Sequence, residues 1–375
     1  MYIHQTLLDG IRQNSIANKV LVIYGPRQIG KTTLLNKLLE EEQQYLFVNG
    51  EDLDVQSLLS SQSIEKLRAF VGGHQLLVID EAQVIPNIGA NLKLIVDHCR
   101  GLRVIAAGSS SFDLANQVGE PLTGRKITYQ LYPLSQMELG QVENLLQTKS
   151  NLEQRLLYGT YPEVVLMQDN KKREDYLREL IVSYLYKDIL ALEGVRKSKK
   201  LQQILQLLSF QIGKEVSLHE IGTLCGLHKD TVQRYIDLLE KSFILVEVSG
   251  FSRNLRKEVT KKSRYYFYDV GVRNAIINQF NPPALRNDLG ELWENYIVIE
   301  RLKKQSYQHI HSNNYYWRTY HQQEIDWVED RGGHLHGYEI KLKSTQKSPP
   351  SEWIKGYPDA KFTIIHRENY LDFIT

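Results

Sequence analysis

The chain has 375 residues, with 46 Lys and Arg against 44 Asp and Glu, a net charge of +2 and 42% hydrophobic residues. This length supports two or three domains, and the balanced charge argues against a strongly basic nucleic-acid coat protein and against an acidic disordered chain. Cys99 and Cys225 are the only cysteines, which excludes a disulfide framework and a cysteine zinc site, and no apolar run approaches the roughly 18 residues of a membrane span.

Short apolar runs alternate with amphipathic stretches over the first 140 residues. The sequence predicts strands at residues 20–24, 45–48, 76–79, 104–107 and 127–131, and helices at 32–42 and 90–98. This alternation is typical of a parallel sheet covered by helices.

The first predicted strand leads into Gly25-Pro-Arg-Gln-Ile-Gly30-Lys31-Thr32, which matches the P-loop pattern GxxxxGK[ST]. Backbone N–H groups of such a loop surround a polyphosphate, and the following helix N-terminus favours the same anion. We expect Lys31 to reach the β- and γ-phosphates and the Thr32 hydroxyl to coordinate Mg²⁺, so the predicted cofactors are ATP and Mg²⁺. The predicted nucleotide-binding residues are Gly25, Pro26, Arg27, Gln28, Ile29, Gly30, Lys31, Thr32 and Thr33.

The third predicted strand ends in two acids, Asp80 and Glu81. An aspartate at the carboxyl end of a buried strand can hold Mg²⁺, and the adjacent glutamate can activate a water, which indicates hydrolysis. Ser109 or Ser110 follows the fourth strand and is either a γ-phosphate contact or part of a plain turn. Arg125 precedes the last strand and is either an arginine finger or a surface cation.

Residues 201–268 contain two short predicted helices, 217–225 and 229–241, separated by Gly226, and then two β-like runs around a charged loop. This order predicts a helix-turn-helix with a wing. The second helix and the loop carry cations that can contact DNA phosphates, and the alternative is an inter-domain packing module with a solvated basic loop. The predicted DNA-binding residues are Lys229, Gln233, Arg234, Arg256, Lys257, Lys261 and Lys262.

The last hundred residues contain Asp326 and, thirteen residues later, Glu339-Ile-Lys341. On adjacent antiparallel strands these side chains meet, and the two carboxylates can hold a divalent metal ion that activates a water, which the lysine positions or deprotonates. Glu294 on the preceding helix is a third candidate ligand. The arrangement is similar to the PD-(D/E)XK nuclease core, except that no proline precedes Asp326; the alternative is an ion network on a fold retained for binding.

The motifs together resemble the bacterial and archaeal AAA-type ATPases with a C-terminal DUF4143 domain. The resemblance implies an AAA+-like ATP-binding fold and, by matching position, nucleotide roles for Lys31, Thr32, Asp80, Glu81 and Arg125 and for a serine at 109 or 110. It extends along the chain through Ile79-Asp-Glu-Ala-Gln, Tyr132-Pro-Leu-Ser, Tyr158-Gly-Thr-Tyr-Pro-Glu and Tyr268-Asp-Val-Gly-Val-Arg.

The predicted fold is therefore α/β, with a P-loop ATPase domain over 1–140, a helical lid or linker over 141–200, a winged-helix domain over 201–268 and an α+β nuclease-like domain over 269–375. The predicted function is ATP hydrolysis coupled to DNA binding or remodelling in a self-associating, cytoplasmic protein without a membrane partner. The alternatives are an ATP-regulated metal-dependent DNA nuclease and a nucleotide-dependent switch that acts on a protein partner.

Overall fold

The computed structural model describes residues 2–108, 122–183, 198–252, 262–345 and 347–375. These residues form two compact units. The first unit contains Tyr2–Leu134 with Lys241–Phe243, and the second contains Ser135–Glu240 with Ile244–Thr375. Across the described ranges, no helix is both long and apolar enough to cross a membrane.

The first unit is a five-stranded parallel sheet in the order β2-β3-β4-β1-β5. Its strands are β1 (Val20–Tyr24), β2 (Tyr45–Asn49), β3 (Leu76–Asp80), β4 (Arg103–Gly108) and β5 (Lys126–Gln130). Its helices are α1 (Leu7–Asn14), α2 (Lys31–Leu39), α3 (Leu53–Leu59), α4 (Ile64–Val71) and α5 (Ile88–His98).

The central strands of this sheet are buried on both faces, as their continuous apolar sequences predict. Every residue of β3 is buried, and Leu77 and Ile79 pack in a core with side chains from α4 and α5. All five predicted strands are confirmed to within one or two residues. Helices α3 and α4 were not predicted; Asp52 and Ser63 cap their N-termini by accepting backbone N–H bonds.

The second unit begins with helices and continues into a mixed sheet. Its helices are α6 (Gln136–Leu139), α7 (Leu145–Tyr158), α8 (Pro162–Leu166), α9 (Asn170–Ser183), α10 (Ser198–Phe210), α11 (Leu218–Cys225), α12 (Lys229–Lys241), α13 (Val270–Ile276), α14 (Leu289–Tyr307), α15 (Ser351–Gly356) and α16 (Tyr370–Ile374). Its strands are β6 (Glu215–Val216), β7 (Leu245–Gly250), β8 (Ser263–Phe267), β9 (Asn313–Arg318), β10 (Glu324–Arg331), β11 (His334–Ile340) and β12 (Lys361–Ile365).

The seven strands of this sheet lie in the order β12-β11-β10-β9-β7-β8-β6. Strands β6 to β8 come from the predicted winged-helix segment, and β9 to β12 come from the predicted nuclease-like segment. Ser249 of β7 pairs with Tyr315 of β9, so one sheet passes through both segments. Residues on this sheet are therefore held at fixed positions relative to one another even when they lie far apart in the chain.

Helix α14 packs across this sheet, with Trp293 and Ile297 fully buried in the core beside Trp327 of β10. Arg301 of the same helix donates from Nε to Glu329 Oε1 at 2.7 Å and from Nη1 to the carbonyl oxygen of Phe373 at 2.7 Å. Two motifs of the family resemblance also meet here, because the backbone N–H of Thr160 donates to Asp269 Oδ2 at 2.7 Å. The contact contributes to the packing of the second unit.

Candidate functional site

The P-loop of the first unit connects β1 to α2, which begins at Lys31. Gly30 caps the helix with φ of 89°, a backbone conformation that side-chain-bearing residues rarely adopt. Gly25 lies so close to the next strand that a Cβ there would be 2.2 Å from the carbonyl oxygen of Leu131. Gln5 donates to the carbonyl oxygen of Ile29 at 3.3 Å and so holds the loop from outside.

Lys31 is buried beneath this loop. Its Nζ donates to the carbonyl oxygens of Gly25 at 3.1 Å and Pro26 at 2.7 Å. Burial lowers the pKa of Lys31 to about 8, while the charges of Glu81 and Asp80 oppose that shift. The loop therefore holds a desolvated ammonium group, which a polyphosphate would stabilise.

Thr32 and Asp80 bring the first turn of α2 to the carboxyl end of β3. The Thr32 hydroxyl donates to Asp80 Oδ2 at 2.6 Å, and Asp80 Oδ1 accepts the backbone N–H of Glu81 at 3.0 Å. Asp80 is buried. A hydroxyl and a carboxylate in contact beside a P-loop are the oxygen ligands that suit Mg²⁺, so these two residues fit the predicted metal.

Glu81 lies beyond the end of β3 in a left-handed conformation, with φ of 49°. Its side chain is half-buried, and Gln83 Nε2 donates to its Oε2. Gln83 thus supports the Glu81 carboxylate beside the Thr32–Asp80 contact. Gln83 is part of the sequence motif but was given no predicted role. Its hydrogen bond to Glu81 becomes visible only in the folded turn.

The structure places Arg125 at the edge of the sheet opposite the P-loop. Its carbonyl oxygen accepts the N–H of Val20, at the start of β1, and its Nε donates to Asp97 Oδ1 at 2.6 Å. Val20 is the first residue of the five-residue strand β1, which ends at the P-loop, so the start of the strand lies about 16 Å from the loop. Arg125 therefore cannot reach the phosphates of its own subunit. The predicted residue Ser109 and its alternative Ser110 lie outside the described residues.

The predicted DNA-binding residues are only partly described. Lys229 and Arg234 of α12 and Lys262 before β8 are exposed, whereas Gln233 donates to Asp237 at 2.8 Å within the helix. Asp230 and Asp237 reduce the positive charge of the exposed α12 face. Arg256, Lys257 and Lys261 lie outside the described residues.

In the second unit, the antiparallel pairing of β10 with β11 brings Asp326, Glu339 and Lys341 together, as the strand alternation predicted. Lys341 Nζ lies 3.3 Å from Asp326 Oδ2 and 2.9 Å from Glu339 Oε1. Burial and the charge of Glu339 raise the pKa of Asp326, while Lys341 opposes the shift. Burial lowers the pKa of Lys341, but Asp326 and Glu339 raise it by more than burial lowers it. The net shift is upward, so this lysine is a cation rather than a base.

Glu294 of α14 also lies in this cluster, but a guanidinium separates it from the others. Arg264 Nη1 is 3.7 Å from Glu294 Oε1 and 3.7 Å from Asp326 Oδ1. Tyr266 donates its hydroxyl to Glu294 at 2.7 Å. Burial and the charge of Asp326 raise the pKa of Glu294, and Arg264 opposes the shift. The sequence pattern also places Arg264 at the end of the basic wing segment 253–264, as a cation able to contact phosphates. The structure corrects this, because the Arg264 side chain is buried in β8.

This cluster lines an open cavity of about 1120 Å³ in the second unit. Side chains of both charges line its wall. They include Lys214, Lys262 and Arg318 as cations, Glu215, Glu291 and Glu324 as anions, and Tyr316 and Tyr320 as aromatic residues. Among the side chains that the structure describes, no group of three or more His, Cys, Asp and Glu residues is arranged to hold a metal ion.

Three family profiles match successive parts of the chain. The AAA domain profile matches residues 17–140, which contain the P-loop and Asp80. A domain of unknown function, DUF8612, matches residues 149–282, and a second, DUF4143, matches residues 289–362.

Individual proteins resemble the chain over most of its length. An uncharacterized protein of Mycobacterium tuberculosis is 27% identical over 332 residues, which are 87% of this chain and 71% of that protein. An uncharacterized protein of Methanocaldococcus jannaschii is 22% identical over 333 residues, or 84% of this chain and 72% of the relative. The structure of a Walker-type ATPase of Pyrococcus abyssi matches 72% of this chain and 93% of its own, with 16% identity and a TM-score of 0.48.

Proposed function

We propose that this chain is an AAA-type ATPase with a C-terminal DUF4143 domain, which hydrolyses ATP with Mg²⁺ and couples its nucleotide state to DNA binding. The observation that supports the first part most directly is the 2.6 Å contact between the Thr32 hydroxyl and Asp80. It unites the two ligand types that a P-loop enzyme uses for its metal.

Each residue of the P-loop site has a separate task in this proposal. Lys31 pairs with the β- and γ-phosphates in place of the carbonyl oxygens that it now contacts. Thr32 and Asp80 hold Mg²⁺, which neutralises phosphate charge when bound. Glu81 orients the attacking water and accepts its proton, and Gln83 fixes the direction of the Glu81 carboxylate.

The metal assignment is tested by Asp80→Asn, which keeps the shape of the side chain but removes its charge. We expect Mg²⁺-dependent ATP hydrolysis to fall by about 10²-fold or more, because the electrostatic stabilisation of the transition state is lost. Asp52→Asn is the matched control, since Asp52 is an exposed cap of α3 in the same unit. Equal rates for Asp80→Asn and the unchanged protein would refute the assignment.

The DNA part of the proposal is supported by the charge distribution of residues 229–264. Lys229, Arg234, Lys241 and Lys262 are exposed cations in the described part of this segment, and the sequence between 253 and 261 adds four more against one acid. Because Asp230 and Asp237 offset the charge of α12, we assign most of the phosphate contact to the loop.

A salt titration of DNA binding tests this part. We expect the affinity for a short duplex to fall steeply with salt, and we expect Arg256→Ala with Lys257→Ala to reduce the slope of log K against log salt by about two. Lys171→Ala with Lys172→Ala removes two exposed cations of α9 in the same unit and is the control.

Measurements without nucleotide, with ADP and with a non-hydrolysable ATP analogue then test the coupling, which requires different affinities in these states. A salt-independent signal, or none, would refute the DNA proposal. That outcome would favour the alternative of a nucleotide-dependent switch acting on a protein partner.

A further inference from the structure

Arg264 is a buried cation among the carboxylates of the second unit. It lies on β8, between Glu215 of β6 and Val248 of β7 in the strand register, and its side chain is only 4% exposed. A buried arginine remains charged, so its surroundings must supply negative charge. The surroundings of Arg264 supply this negative charge through carboxylates that come from two distant parts of the chain.

Three carboxylates surround this guanidinium. Arg264 Nη2 donates to Glu324 Oε2 at 2.9 Å, and Nη1 lies 3.7 Å from both Glu294 and Asp326. The Tyr316 ring covers the guanidinium, with its centroid 4.5 Å from the guanidinium carbon. The side chain therefore occupies the space between Glu294 of α14 and Asp326 of β10.

A divalent cation would need that same space. Mg²⁺ and Ca²⁺ bind oxygen ligands at about 2.0–2.6 Å, and a guanidinium 3.7 Å from both carboxylates leaves no room for the ion between them. Asp326 Oδ2 is also committed, because it accepts the N–H of Ile340 at 2.8 Å and lies 3.3 Å from Lys341 Nζ.

Glu339 is the remaining acid of the predicted metal site. Lys341 and Lys347 approach its Oε1 at 2.9 and 2.6 Å, so its charge is already paired. Glu339 Oε2 is buried and has no hydrogen-bond partner within the described ranges, so this oxygen is where a cation would still find an acceptor. A single oxygen of a carboxylate that two ammonium groups already neutralise is a poor metal site.

We propose that Arg264 is the permanent counter-ion of the carboxylate cluster in the second unit, and that this cluster consequently holds no divalent metal. The residues do not fit the metal of the nuclease-like resemblance. Metal-dependent cleavage of DNA at this cavity is therefore not expected, and the guanidinium instead links β8 to α14 and β10.

Mn²⁺ binding to the nucleotide-free full chain tests the proposal, with free Mn²⁺ measured by its paramagnetic resonance signal. We expect no binding to the wild-type chain that depends on Asp326. Arg264→Met removes the counter-ion, and we expect it to gain Mn²⁺ binding that a further Asp326→Asn change abolishes, with an affinity at least about 10-fold above any that the wild-type cluster shows, the size of effect that metal-site neighbours typically exert. Arg318→Met is the control, because it removes a partly exposed cation from the same wall.

The wild-type measurement decides the matter even if Arg264→Met does not fold. Mn²⁺ binding that persists in Thr32→Ala and disappears in Asp326→Asn would place a metal in this cluster and overturn the proposal. Mn²⁺-dependent DNA cleavage that disappears in Asp326→Asn would overturn it equally. Binding that is unchanged in Asp326→Asn would support the proposal, since the metal would then lie elsewhere.

Discussion

Asp80 and Glu81 are neighbours in sequence but have different surroundings. Asp80 is buried and accepts hydrogen bonds from the Thr32 hydroxyl and the Glu81 backbone. Glu81 has a left-handed backbone conformation, and Gln83 donates a hydrogen bond to its carboxylate. Asp80 accepts a hydrogen bond from the P-loop hydroxyl and is therefore suited to bind a metal ion. Glu81 is supported by Gln83 and is suited to act as a general base.

The different surroundings predict that Glu81→Gln separates ATP binding from ATP hydrolysis. We expect the rate of hydrolysis to fall about 10²–10⁴-fold, the usual contribution of a general base, while the Kd for ATP changes little. Phosphate release measures the first quantity and calorimetry measures the second. Glu51→Gln, an exposed glutamate beyond the end of β2, is the control. A large loss of ATP affinity in Glu81→Gln would contradict the assignment of Glu81 as a base.

Gly25 gives a second prediction at this scale, because backbone lies where its side chain would be. In Gly25→Ala the new methyl would be 2.2 Å from the Leu131 carbonyl oxygen, so the loop or β5 must shift. We expect weaker ATP binding and a loss of about 1–3 kcal/mol of stability, the range for overpacking. Calorimetry and thermal unfolding by circular dichroism measure these changes.

Gly73→Ala is the matched control, since a Cβ at Gly73 meets nothing within 4 Å. The same two measurements should leave it close to the unchanged protein. If both variants bind ATP equally well, the close approach at Gly25 does not shape the loop.

The paired elements α14 and β10 show how buried charge stabilises the second unit. Glu329 of β10 is fully buried and accepts hydrogen bonds from Arg301, Trp327 and Arg331. Burial by itself would raise the pKa of Glu329, but these donors lower it below its usual value. The carboxylate form is therefore the one that folding stabilises.

We expect Glu329→Gln to destabilise the second unit by about 3–5 kcal/mol at pH 7, because Arg301 would be left buried without its counter-charge. All four tryptophans lie between residues 293 and 353, so tryptophan fluorescence during urea unfolding reports this unit alone. Glu368→Gln changes an exposed glutamate of the same unit and should have an effect within about 0.5 kcal/mol.

The pH dependence has a definite sign. A lowered folded-state pKa stabilises the protein above the unfolded-state pKa of about 4.3, and this stabilisation is lost as the pH falls through the folded-state value. The difference between the wild type and Glu329→Gln should therefore shrink below about pH 4. A difference that stays constant from pH 7 to pH 3.5 would contradict the stabilising role of the carboxylate form.

At the scale of the whole molecule, the position of Arg125 predicts self-association if this residue acts in catalysis. Arg125 lies about 16 Å along the strands from its own P-loop, so its guanidinium can serve only the site of another subunit. We expect Arg125→Ala to lower hydrolysis about 10³-fold or more, the effect of an arginine finger. A mixture of Arg125→Ala and Glu81→Gln chains should hydrolyse ATP faster than the sum of the rates of the two variants measured separately. Some interfaces in the mixture would combine an intact Glu81 from one subunit with an intact Arg125 from the other.

Asp97→Asn is the control for this experiment. It removes the partner of Arg125 at 2.6 Å but leaves the guanidinium in place. If Asp97→Asn lowers hydrolysis as much as Arg125→Ala does, the surface ion pair rather than a finger explains the loss. A mixture with no recovery would also contradict the role in trans, and Arg125 would then be the surface cation of the alternative interpretation.

The sequence by itself determined the features that depend on neighbours along the chain. The P-loop, the acids ending β3 and the alternation that sets Asp326 against Glu339 all follow from local spacing, since strand and helix periodicities fix which residues share a face or an edge. The family resemblance also depends on motifs at fixed spacing along the chain, and the matches of the AAA and DUF4143 profiles confirm it.

Only the tertiary structure decided which distant groups share a site. Arg264 belonged to a basic stretch in the sequence, yet β8 places it among carboxylates from α14 and β10. Arg125 was predicted as part of the nucleotide site. The parallel pairing of β1 with β5 instead places it at the edge of the sheet opposite the P-loop. Electrostatic energy depends on distance and burial in space, and neither quantity can be obtained from the order of residues before the strands have paired.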